Sequence, residues 1–169
     1  NHIRNGYCTS GDLAAMNARC VNPDKSGQPI ITLTPYKDVA DKHNEQRLAE
    51  IPAQQYTFIG TFEGKFDKKG NKKTELSDDA LPAPKRINLK VGAQVMFTRN
   101  DKQQRWVNGT IGTVTALGSG TVKVKIGDQT HDVEPSVWES YEYKFDEVNK
   151  RITQEPTGSY TQYPLKLAW

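Results

Sequence analysis

The chain has almost no cysteine. Cys8 and Cys20 are its two thiols, in no CxxC spacing and without a histidine run beside them, so neither a zinc site nor a disulfide framework is expected. Both are read as reduced thiols of a cytosolic protein. Long hydrophobic runs are missing too: nothing approaches the roughly 20 apolar residues that span a bilayer, and no signal-peptide pattern opens the sequence. No membrane partner is expected, and the expected location is cytoplasmic. His2, His43 and His131 are scattered, giving neither a ligand set nor a base with an orienting partner. There is no GxxxxGK[ST] phosphate loop. The nearest approach, Gly60 to Phe66, has the wrong spacing and a phenylalanine where the magnesium-binding hydroxyl would stand. No nucleophile, base and orienter set emerges, so the chain taken alone is not expected to be an enzyme, and no cofactor is expected within it.

What is present is ordinary globular material: 169 residues, 35% hydrophobic, enough for one domain or two small ones. The formal charge of +3 permits a nucleic-acid partner without demanding one. Asn108-Gly109-Thr110 matches a glycosylation sequon but is read as turn chemistry, since Asn-Gly tolerates positive φ. The chain starts at Asn1 without an initiator methionine and ends on an apolar run closed by Trp169, so it is expected to be a piece of a longer protein.

Along the chain, Ser10 is the expected N-cap of a short helix with Asp12 in its first turn. The run Ile30 to Leu33 reads as a buried strand, and Thr34-Pro35 as the cap and first residue of a helix reaching about Ile51. The apolar stripe of that helix is Tyr36, Val39, Ala40, His43, Leu48 and Ile51. A strand followed by a capped helix is half of a βαβ unit. Tyr56 to Phe62 is one strand candidate, Lys65 to Lys73 a lysine-rich loop, and Leu81-Pro82-Ala83-Pro84 an extended boundary. Short strands follow at Gln94 to Thr98, Thr110 to Ala116, Thr121 to Ile126, Gln129 to Val133, Val137 to Phe145 and Arg151 to Glu155, with Gly118-Ser119-Gly120 and Gly127-Asp128 as hairpin turns. Such a series indicates a small barrel or sandwich. The mixed parity of Trp138, Tyr141, Tyr143 and Phe145 suggests barrel packing on both faces. Tyr163, Leu165 and Leu167 then return at strand spacing.

The most informative stretch is Leu89 to Val114, LKVGAQVMFTRNDKQQRWVNGTIGTV. Val91, Ala93, Val95 and Phe97 alternate as in a half-buried strand, while Gly109 and Gly112 suit a curved strand with a bulge or a close backbone approach. Between them a polar loop presents Arg99, Asn100, Lys102, Arg105 and Trp106, groups able to bind phosphate and stack on a base.

Together with Ile30 to Ile51 (IITLTPYKDVADKHNEQRLAEI) and Gly158 to Trp169 (GSYTQYPLKLAW), this stretch resembles three successive blocks of the RecD/Pif-type helicases of superfamily one, which move 5′ to 3′ on single-stranded DNA. Ile3-Arg4-Asn5-Gly6 and Asp12 to Arg19 resemble the segment preceding them. The resemblance implies a mixed α+β fold: an incomplete RecA-like α/β domain carrying an inserted Src-homology-3-like small β-barrel. Residues 1–86 would be the first part of the second motor domain with motif IV, 87–156 the barrel, and 157–169 the start of motif V. The Walker motifs would lie upstream, and the rest of motif V and motif VI downstream. ATP and magnesium are therefore implied for the intact parent and not for this piece. The implied partners are single-stranded DNA and the rest of the helicase chain, with oligomeric state left open, in the cytoplasm or on the nucleoid of a bacterium, in tasks such as DNA repair.

By the resemblance, Thr34 and Asn44 sit where motif IV places polar groups near the DNA track. Either can equally serve locally, Thr34 as a cap and Asn44 by satisfying a backbone group. Arg99, Asn100, Lys102 and Arg105 are expected at the strand, and Gln162 and Lys166 flank motif V. Trp106 is left between two roles, since stacking on a base is worth roughly 1 to 3 kcal/mol and packing its body on the core about as much; core packing is the favoured one. The competing function is a stand-alone nucleic-acid-binding or protein-interaction β-barrel without motor activity.

Overall fold

The computed structural model describes residues 2–20, 30–64, 66, 80–147 and 149–169, so the lysine-rich segment lies outside the described residues apart from Phe66. Two units form, Asn1–Ile30 and Ile31–Trp169. In the first, a 3₁₀ turn (Ile3–Asn5) precedes helix α1 (Ser10–Asn17). Its cap is Thr9, not Ser10. The Thr9 hydroxyl accepts from the Asp12 N–H at 3.2 Å and the Asp12 carboxylate accepts from the Thr9 N–H at 2.9 Å, a reciprocal capping box that Ser10, one residue inside the helix, cannot make.

The second unit begins with two corrections. Ile31 to Leu33 forms no strand, because no described strand pairs with it, and Leu33 is 91% exposed. Helix α2 (Lys37–Glu50) starts later than Thr34-Pro35 predicts. The Thr34 hydroxyl instead accepts from the Tyr36 N–H at 3.3 Å in a turn, and Tyr36 becomes the N-cap. The inward stripe of α2 is narrower than expected: Leu48 is buried and Ala40, His43, Asn44 and Ile51 are half-buried, while Tyr36 and Val39 are exposed.

The rest is antiparallel sheet. The expected strand over 56–62 is two strands, β1 (Tyr56–Ile59) and β2 (Thr61–Gly64), which join different sheets. The break is Gly60, where a Cβ would lie 2.5 Å from the ring of the fully buried Tyr160. Strand β1 pairs with β3 (Arg86–Leu89). Strands β4 (Gln94–Phe97), β5 (Ile111–Gly118), β6 (Thr121–Ile126), β7 (Gln129–Val133) and β10 (Leu165–Leu167) form a five-stranded sheet in the order β10-β4-β5-β6-β7. Gly112 is needed there, since a Cβ would stand 2.4 Å from Val124 Cγ1, and β5 carries an irregularity between Val114 and Ala116. Strands β8 (Ser136–Asp146) and β9 (Arg151–Gln162) form a long hairpin that β2 completes in the order β2-β9-β8.

Alternation explains the core. Ile87, Leu89, Val95, Phe97, Val114, Val122, Val124 and Leu165 point inward from their strands and meet Leu48 of α2 and Tyr163. The exception is the far part of β8, where Tyr141, Tyr143 and Phe145 are exposed and do not pack in a core as their parity suggested. Among the described residues, no helix is long and apolar enough to cross a membrane.

Candidate nucleic-acid interface

The loop between β4 and β5 is organised by Asp101, whose side chain is 9% exposed. Its carboxylate accepts from the N–H groups of Gln103 and Arg105, both at 3.1 Å, and from the Arg105 guanidinium through Nε at 2.7 Å and Nη2 at 2.9 Å. These bonds, led by the Arg105 guanidinium, pull the Asp101 carboxyl from 3.8 to about 2 and raise Arg105 above its ordinary value. Arg105 Nη1 also donates to the Asp132 carbonyl, and the guanidinium lies 4.4 Å from the Trp106 ring centre. Trp106 in turn stacks on Phe97 at 4.4 Å and is 6% exposed. The favoured core role of Trp106 holds, and the expectation for Arg105 changes. Trp106 is a core residue, with no face left for a base, and Arg105 is a brace whose charge is matched by Asp101.

The other loop groups divide similarly. Arg99 donates to the Val137 carbonyl at 2.7 Å and lies 5.4 Å from the Trp138 ring centre, which ties the loop to β8. Asn100 accepts from the Asn108 N–H at 2.7 Å and shapes the turn. Lys102 is exposed and makes no ion pair among the described residues. It stands beside Gln104, held at φ +60°, on a tip that the Asp101 bonds fix in place.

Beside the loop lies a cleft of about 720 Å³ between α2, the Leu81 to Pro84 turn, β3, β4 and β10. Its apolar lining includes Leu48, Leu81, Pro82, Met96 and Leu167, and its polar lining includes Arg86, Asn88, Asn108 and Lys166. Arg86 and Lys166 are exposed and make no ion pair among the described residues. Acidic Asp41 and Glu45 sit on the α2 wall. The Thr98 hydroxyl, also lining the cleft, is buried without a hydrogen-bond partner among the described residues.

Asn44 lines this cleft and acts through the backbone of β10. Its amide donates to the Leu167 carbonyl at 3.2 Å and accepts from the Trp169 N–H at 2.9 Å, so one side chain serves as a rung holding the residues after Lys166 extended. Gln162 is overturned as a surface contact. It is 3% exposed, and its amide donates to the carbonyls of Phe58, Pro84 and Lys85 while accepting from the Tyr163 N–H. Thr34, engaged in its turn, is not among the residues lining the cleft. Arg86 was missed from sequence. Its signal is the alternation of Arg86 and Asn88 with the buried Ile87 and Leu89, which turns the polar pair outward from the first strand after the prolines.

The family described as DNA helicase Pif1, 2B domain, matches residues 77–117, the span holding Arg86, β4 and the braced loop. The ATP-dependent DNA helicase Pif1 of Bdellovibrio bacteriovorus is 32% identical over 167 residues, 99% of this chain and 35% of that protein. Over nearly its whole length the chain is similar to a segment of a Pif1-type helicase. It spans about a third of the length of that relative and about a quarter of the Xenopus laevis helicase PIF1, with which it is 27% identical. Among solved structures, Bacteroides sp. Pif1 in complex with ADP-AlF4 superposes at a TM-score of 0.82 with 28% identity, covering 100% of this chain and 37% of that one. The Bacteroides Pif1 in complex with ADP-AlF3 and single-stranded DNA superposes at 0.73, with 27% identity and the same coverage. A mixed, sheet-rich fold with few helices is thus the fold of a segment of Pif1-type helicases.

Proposed function

We propose that this chain is the part of an ATP-dependent DNA helicase that grips single-stranded DNA, with its cleft and the adjoining Lys102 tip as the contact surface. The observation that carries this is the pair Arg86 and Lys166. Among the described residues both cations stand without a carboxylate partner on the rim of the cleft, in a chain similar to a helicase solved with single-stranded DNA. On this reading residues 1–86 and 157–169 belong to the second RecA-like domain, and the five-stranded sheet is the body of an inserted Src-homology-3-like barrel. Asp101, Arg105 and Asn44 are positioning residues, the first two for the loop tip and the third for the strand bearing Lys166.

On this reading ATP and magnesium belong to the rest of the helicase chain. The sequence has no glycine-rich phosphate loop, and the described residues include no cluster of three or more groups able to hold a metal ion. Nucleotide hydrolysis is accordingly assigned to the rest of the helicase chain, in the cytoplasm or on the nucleoid, and this segment supplies grip by phosphate contact.

The test is anisotropy of a labelled oligothymidylate over a salt series. Each phosphate contact contributes about 0.7 to the slope of log affinity against log salt on single strands, so Arg86→Ala with Lys166→Ala is expected to flatten it by about 1.4. Unchanged affinity and slope in the double variant would remove the cleft from the DNA path.

A further inference from the structure

Strand β8 is the outer strand of its sheet, eleven residues long, and its far edge has no partner strand among the described residues. Sheet edges of that length are ordinarily blunted by proline, clustered charge or a covering element, because the free N–H and C=O groups recruit another strand. Here Arg99 takes the Val137 carbonyl at the start of the strand, and the sequence from Glu139 to Phe145 holds no proline. Beyond the irregularity at Ser140/Tyr141, one face of the hairpin carries Tyr141, Tyr143 and Phe145, which are 40%, 68% and 59% exposed, opposite Pro156, Gln154 and Ile152. With Ile152 at 70% exposure, this face leaves on the order of 500 Å² of largely apolar side chain in water, as much as the largest patch on a typical monomer.

The other face carries a charge conflict. Glu142 stands directly opposite Glu155 across the hairpin, while Lys144 is paired with Glu155 at 2.6 Å. Like charges at directly opposed positions destabilise a sheet, and Glu142 makes no ion pair among the described residues.

We propose that β8 is an interface between two copies of this chain, joined edge to edge and antiparallel about a two-fold axis at Tyr143. The strand is self-complementary in that register. Tyr143 faces its own copy, Tyr141 of one protomer faces Phe145 of the other, and Glu142 of one faces Lys144 of the other, twice over by symmetry. An aromatic cross-strand pair and an opposite-charge pair are both stabilising in a sheet, and the second sets Glu142, which faces Glu155 in its own hairpin, directly opposite a cation. The two three-stranded sheets become one of six strands, and the aromatic faces merge into a single strip. The area is below that of a permanent dimer, so the association is reversible and weak.

Sedimentation velocity of the chain over a wide concentration range tests this, with near-ultraviolet circular dichroism reporting that each variant keeps its packing. The unaltered chain is expected to show a monomer–dimer equilibrium. Glu142→Lys and Lys144→Glu singly place like charges opposite each other and are expected to weaken it about tenfold, and the two together to restore it. A chain that stays monomeric at every concentration would overturn the interface. A dimer indifferent to both single changes, or not restored by the double one, would overturn it equally.

Discussion

Replacing Asp101 by Asn keeps the shape of the side chain and removes its charge. In the native loop the Asp101 carboxyl is held at about 2 against an ordinary 3.8, chiefly by the Arg105 guanidinium. A shift of that size corresponds to about 2 kcal/mol of stability, reduced to about 1 to 2 because the Arg105 side chain is 30% exposed and part of the attraction is screened. The sign follows from linkage. A carboxyl depressed in the folded state contributes fully above its unfolded value and loses its contribution as pH falls from near 4 towards 2. Urea unfolding followed by tryptophan fluorescence, with stability extrapolated at successive pH values, reads this directly. Asp101→Asn is expected to be less stable than the native chain by about 1 to 2 kcal/mol at neutral pH, with the gap narrowing below pH 4. A gap that stays the same at pH 3 as at pH 7 would mean that the loop is held by shape, not charge, and would refute Asp101 as its electrostatic organiser.

Other outcomes follow from close approaches and paired amides. Gly60→Ala puts a methyl group 2.5 Å from the Tyr160 ring, whose hydroxyl is anchored to the carbonyls of Ala83 and Pro84, so a loss of about 1 to 3 kcal/mol is expected in thermal or urea unfolding. Asn44→Ala removes the bonds to Leu167 and Trp169 and should cost about 2 kcal/mol, with faster hydrogen exchange at the Trp169 amide; an unchanged rate there would remove Asn44 as a clamp.

How much could be read from the sequence depended on what each element needs. Strands β6 and β7 form at their expected bounds because alternation and the Gly127-Asp128 turn act within a few residues. The Ile31 to Leu33 run has the composition of a strand and none of its partners, and composition does not report partners. The broken strand at Gly60 is invisible for the same reason, since its cause is a ring 100 residues further on. The cations of the loop were legible as a cluster, but their pairing was not. Asp101, four residues before Arg105, converts a contact candidate into a brace, and loops have no periodicity to announce which charges face each other. Gln162 reads as a polar surface residue until three carbonyls converge on its amide.

These reassignments concern charge that is spent and charge that is left. A guanidinium already matched by a carboxylate must break charged bonds before it meets a phosphate, whereas a lysine in water gives up only solvent and counterions. Arg105 and Lys102 lie three residues apart on one loop and fall on opposite sides of that distinction, Arg105 bound twice by Asp101 and Lys102 without an ion pair among the described residues. The same holds across the cleft, where Asn44 is committed to the backbone and Lys166, on the strand it holds, makes no ion pair among the described residues. Rigid parts and contacting parts are therefore different residues placed side by side. On the proposed reading, that arrangement would let a DNA strand bind and release at Lys102 and Lys166 without loosening the loop or the strand that presents them.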